Sequence, residues 1–151
     1  MRDTVCTGVV AGTAGGLGKL AVNLLLYWAG VAKTTSLHFA AAALLPPNVS
    51  LNTTPALLVG LAADLLTALL WGITGIYFLS ATGRDFLYLK GLVYGGLLWL
   101  VGYGFLAQLV VPERLLRPDV GTTATLLVGH LVFGVFLFTV TARLQIGEVQ
   151  R

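Results

Sequence analysis

A bundle of four transmembrane helices is the fold this sequence predicts, and three observations predict it. The chain is 57% hydrophobic and only 10% charged over 151 residues, with a mean hydropathy of +0.90, whereas soluble domains carry about 25% charged residues. Its apolar residues gather into four runs, roughly 5–31, 56–81, 86–111 and 122–142, each near the ~20 residues a helix needs to cross the hydrocarbon. The runs also lack the short alternating segments of an outer-membrane barrel, so helices are the way their backbone is satisfied in lipid. The class is therefore all-α: one up-and-down transmembrane domain over residues 1–151, with little chain left for a soluble catalytic unit.

The first run follows Arg2 and has the look of a signal peptide, but it is too long and is interrupted by Lys19, so it reads as a retained helix. Cys6 at its start reads as a small residue near the membrane edge, with S-acylation the alternative, and a lone cysteine excludes an intrachain disulfide or a thiolate cluster. Gly8, Gly12 and Gly16 then recur every four residues, a glycine zipper that lets helix backbones approach closely in lipid. At about 100° per residue, Lys19 falls within about 20° of Gly8 and Gly12, so its ammonium points into that contact. Asn23 follows one turn later. The segment fails as a nucleotide-binding loop, because Leu20 stands where Walker A needs Ser or Thr and no strand precedes it.

The first connection is long. Residues 34–45 (TTSLHFAAAALL) place alanines behind Ser/Thr caps and end at Pro46-Pro47, which predicts a short helix, either interfacial or re-entrant. Asn48 and Asn52 begin glycosylation-type triplets that occur often by chance. In the second run Gly60, Asp64, Ala68 and Gly72 share a face at four-residue intervals, flanked by Thr67 and Trp71. Residues 81–85 (ATGRD) make a short turn, joining the second and third helices as an antiparallel hairpin. The third run sets Gly91, Gly95 and Gly102 on one side and also carries Trp99, Tyr103 and Gln108. Residues 112–121 form a longer loop, after which Thr122 or Thr123 can cap the fourth helix. That helix has Gly129, His130 and Gly134 together, with Thr123 and Thr141 near the same azimuth.

Three ionisable residues thus lie inside apolar runs, where a charge costs at least ~2.5 kcal/mol and is usually paired or functional. At 1.5 Å per residue Lys19 lies about 21 Å from the start of its helix, and Asp64 and His130 about 12 Å from the opposite ends of theirs. In a ~30 Å core those depths nearly coincide. The sequence therefore predicts a polar intramembrane site: a Lys19–Asp64 ion pair with His130 in reach directly or through water. Such a pair can be a structural lock between helices, or a proton relay or polar-ligand contact. One His and one Asp do not complete a usual metal site, and no cofactor motif is present.

Basic residues are dispersed, which argues against nucleic acid as a partner. Arg2, Arg84, Lys90, Arg143 and Arg151 fall on the side of the N-terminus and Lys33, Arg114 and Arg117 on the other, five against three, which predicts both termini cytoplasmic. Residues 8–19 (GVVAGTAGGLGK), the Pro46-Pro47 loop, and residues 91–123 followed by 129–134 (GHLVFG) resemble the YqhR-type conserved bacterial membrane proteins. The early Gly/Lys helix and the Gly-His-Leu-Val element are also similar to the YagU-type inner membrane proteins. The resemblance implies a four-helix bacterial cytoplasmic-membrane protein and transfers no catalytic residue. The expected function is a structural or interaction subunit that self-associates or supports a membrane complex in the lipid bilayer. The alternative is a small proton-coupled transporter or conduit using Lys19, Asp64 and His130. An enzyme is disfavoured, since Asp64 with His130 is the one acid/base pair at depth.

Overall fold

The computed structural model describes residues 4–110 and 118–149, without the side chains of residues 108, 110 and 145–149. Arg2, Arg114, Arg117 and Arg151, the 112–117 loop and the Gln108 side chain therefore lie outside the described residues. The described chain is all-helical: α1 (Thr4–Trp28), α2 (Ser36–Leu44), α3 (Thr54–Thr82), α4 (Leu87–Trp99), a π-helical stretch (Leu100–Leu106) running into α5 (Ala107–Val110), and α6 (Val120–Val149). Four spans, of 25, 29, 20 and 25 residues, are long and apolar enough to cross a membrane, the third being Leu87–Leu106. Among the described residues the protein is a four-helix multi-pass membrane bundle, with the short α2 in the first connection.

The helix ends follow local chemistry. Thr53 precedes α3 in an extended conformation and Pro55 sits in its first turn, where a missing N–H costs nothing. Gly83, at φ +78°, ends α3, and the Lys90 ammonium donates to the terminal carbonyls of Thr82 (2.7 Å) and Gly83 (2.9 Å). The connection closes at Phe86, an exposed residue held in the left-handed region at φ 56°. The start of α6 departs from the expected threonine cap. Asp119 is the capping residue: its carboxylate accepts the Thr122 N–H (3.2 Å) and hydroxyl (2.8 Å). An acid serves better here because it accepts two bonds at the positive end of the helix dipole. Thr122 is freed to accept the Lys33 N–H at 2.9 Å, tying the first connection to α6.

Glycine decides which helices meet. A Cβ on Gly12 would fall 2.6 Å from Ala68 O, one on Gly8 2.7 Å from Ile73 Cα, and one on Gly72 against Gly8 O and Gly12 Cα, so α1 and α3 cross backbone to backbone. Gly91 and Gly95 of α4 seat in the same way against Gly134 and His130 of α6. Gly15 rests on Phe133, joining α1 to α6. The order around the bundle is α3, α1, α6, α4. The main core lies toward the α3–α4 end, with Leu79, Tyr94, Leu98, Phe133, Leu137 and Phe138 packed together.

Two consequences differ from a plain hairpin bundle. The arms α3 and α4 run antiparallel, as the short turn dictates, yet their backbones stay apart. Tyr94 bridges them, its hydroxyl donating to Trp71 O (2.7 Å) beside Thr74 Oγ1 (2.7 Å). The space that remains is covered from the other end by α2. Its backbone crosses α3 at Gly60, where a Cβ would strike Leu37 O. Ser36, Leu37, His38, Phe39, Ala41 and Ala42 are buried. The helix is thus tucked into the bundle, the re-entrant form of the two expected. A capping box fixes its start, with Thr35 N–H donating to His38 Nδ1 at 3.1 Å, and His38 Nε2 meets Asn52 Oδ1 at 3.1 Å.

Candidate functional site

Lys19 and Asp64 meet. The Lys19 Nζ lies 2.6 Å from Asp64 Oδ1, with both side chains buried, and among the described residues this is the salt bridge of the molecule. Each partner is placed by small neighbours. Gly16 seats against Ala68 and brings α1 close enough to α3 for a short ammonium–carboxylate contact, while Gly129 of α6 leaves room for the aliphatic stem, since a Cβ there would fall 3.2 Å from Lys19 Cγ. Asn23, fully buried one turn on, donates to Lys19 O at 2.9 Å, and its own Oδ1 has no hydrogen-bond donor among the described residues.

The second Asp64 oxygen faces α2: Ser36 Oγ donates to Oδ2 at 3.4 Å. The first connection therefore folds back until the first turn of α2 reaches the carboxylate, ten residues inside α3. Ser36 escaped the sequence reading because it lies in a connection, and no periodicity there says how deep the chain returns. Its capping pattern was the available signal, and it located the helix but not its depth.

His130 lines the same cavity as Lys19 and Asp64. Its Nδ1 donates to Leu126 O at 2.8 Å, a carbonyl one turn back on α6, so Nε2 is the acceptor nitrogen whenever the ring is neutral. No direct hydrogen bond joins it to Lys19 or Asp64 among the described residues. Its ring instead meets the Tyr103 ring edge to face, centroids 5.5 Å apart, and Tyr103 meets Phe39 in the same way at 5.1 Å.

Tyr103 is the second residue that sequence reasoning did not place in the site. It stands in the middle of the π-helical stretch, where Ala107 N–H bonds back five residues to Gly102 O. Wide turns of this kind are frequent at functional sites. Gly102 and Gly104 flank the tyrosine, and a Cβ on Gly102 would meet nothing within 4 Å. The available signal was this Gly-Tyr-Gly triplet inside an otherwise bulky run.

Together these groups bound a cavity of about 190 Å³. Lys19, Asp64, Ser36, Tyr103 and His130 supply its polar wall, and Phe39, Trp71, Leu98, Leu106 and Phe133 much of the apolar remainder. Below it Tyr94, Leu137 and Phe138 pack together in the buried core. The wall offers hydroxyl and ammonium donors, carboxylate and imidazole acceptors, and flat aromatic faces. Among the described residues it holds no hydroxyl–imidazole–carboxylate chain of hydrogen bonds. No protein-family model, no curated protein and no solved structure matches this chain.

Proposed function

We propose that this chain is a multi-pass bacterial cytoplasmic-membrane protein that binds a small molecule in the Lys19–Asp64 cavity, with both termini in the cytoplasm. The observation that carries this reading is that the buried ion pair forms one wall of a cavity of about 190 Å³. A pair that only locks two helices needs no room beside it, and protein interiors are otherwise close-packed. A pocket with apolar walls and a few convergent polar groups is the usual form of a ligand site. Membership of the YqhR-type and YagU-type groups belongs to the same proposal and rests on the glycine patterns and the Pro-Asp loop.

The self-association reading loses its main support. The glycines that were its candidate interface, Gly8, Gly12, Gly72, Gly91, Gly95 and Gly134, meet partners inside the bundle. Conduction is disfavoured by the packed core beneath the cavity.

Native mass spectrometry of protein extracted with its own lipids tests the proposal. The wild type should carry one bound small molecule per chain. Gly102→Phe, which fills the cavity, should remove it, while Val101→Phe on the exposed neighbouring face should not. An empty wild type, or the same bound mass in Gly102→Phe, would overturn it.

A further inference from the structure

We infer that the cavity is entered sideways from the bilayer and takes a neutral, single-ring head of quinone type, bearing carbonyl acceptors and an apolar tail. This rests on the cavity being a binding site, as proposed above. The mouth gives the direction of entry. α1 and α6 close the back of the cavity, α2 closes one end, and Tyr94 bridges the gap between α3 and α4 at the other. Between these closures the lining residues Thr67, Ala43 and Leu106 are exposed on the outside of the bundle. Thr67 lies midway along α3, about 20 Å from either end at 1.5 Å per residue. A mouth at that height faces hydrocarbon, so the ligand arrives dissolved in lipid.

Size and charge give the head. A cavity of about 150 Å³ lined by apolar side chains takes a benzene ring, so about 190 Å³ accommodates one substituted ring. The charges on the described wall cancel: Lys19 is answered by Asp64 at 2.6 Å, and among the described residues no other Lys, Arg, Asp or Glu lines the space. An anionic or cationic head would enter without a counter-charge, at a high desolvation cost. A neutral head with carbonyl oxygens fits, accepting from the Tyr103 hydroxyl and the Lys19 ammonium. Trp71 and Phe133 line the space beside it. The tail leaves through the mouth between Thr67 and Leu106.

Trp71 is also the reporter. In a Trp28→Phe, Trp99→Phe background it is the single tryptophan, and its fluorescence is followed in nanodiscs titrated with decylubiquinone. Saturable quenching is expected, weakened at least tenfold by Gly102→Phe and by Thr67→Phe at the mouth, the second variant guarding against misfolding of the first. Decylbenzene, with ring and tail but no carbonyls, and decanoate, with an anionic head, should bind at least tenfold more weakly. Quenching that stays linear in wild type, equal binding of decylbenzene, or tighter binding of decanoate overturns the assignment. If decylubiquinone fails while the wild type still carries a bound mass that Gly102→Phe removes, the ligand class is wrong and the binding function stands. If both fail, both fall.

Discussion

Lys19 and Asp64 are each other's solvent. Removing one partner leaves the other charge buried and unpaired, a loss of about 3–5 kcal/mol, whereas replacing both with apolar residues is often neutral or stabilising. Lys19→Met should therefore unfold well below wild type in detergent, and Lys19→Met/Asp64→Leu should recover most of the loss. Equal melting of the single and double variants would show that the charges are uncoupled. Asp119 gives a second residue-scale expectation. Its hydrogen bonds to Thr122 hold its carboxyl below the ordinary carboxylate value. The native cap thus favours the ionised form, so its contribution is fully present above the unfolded value of about 4. It fades as pH falls through the lower folded value. The melting difference between wild type and Asp119→Ala should be constant at neutral pH and shrink on acidification below about 4; a difference that grows there would reverse the sign. At this scale the sequence was informative about azimuth and silent about rotamer. The four-residue glycine spacing places Lys19 on the packed face of α1, but nothing in the spacing says that His130 turns its Nδ1 back to Leu126 O instead of toward the ion pair.

Among the helices, the contacts divide into places where a methyl group fits and places where it does not. A Cβ on Gly72 would collide with backbone atoms of Gly8 and Gly12, which cannot swing aside. Gly72→Ala should cost about 1–3 kcal/mol as α1 and α3 are pushed apart, while Gly102→Ala, with nothing within 4 Å, should be tolerated. Equilibrium unfolding of the two variants in the same micelles makes the comparison, and equal stability would mean that α1 and α3 separate at little cost. The long elements were legible because each apolar run exceeds the span of a bilayer and ends at Pro, Gly or charge. The separation of α3 from α4 was not legible. A short turn sets the direction of the returning helix, but its distance depends on Tyr94 wedged between the arms and on α2 entering from a connection. The azimuth of Tyr103 was hidden for a related reason, since the 100° step used for an α-helix stops applying at Leu100.

For the whole molecule, four crossings return the chain to the side where it began. The charge bias proposed to be cytoplasmic then places exposed Cys6 inside and Asn52 outside. A membrane-impermeant maleimide applied to intact cells of a bacterial host should leave Cys6 unlabelled and should label Asn52→Cys in a Cys6→Ser background. The opposite pattern inverts the protein. The class of the molecule was readable from composition and run length alone. Its working part was readable only in outline, because a cavity is made by several segments failing to touch, and a linear pattern records what each segment can contact. The π-helical stretch adds a consequence about length. Between Leu100 and Leu106 the backbone bonds five residues back where regular winding would bond four, so the chain there holds a residue more than the rise requires. Deleting one residue within that stretch restores regular winding and turns whatever lies beyond the excision by about 100°. Two sequences with the same four spans, differing by one residue at this point, would build the same bundle around different interiors, and that single count would tell a chain that keeps the chamber from one that has lost it.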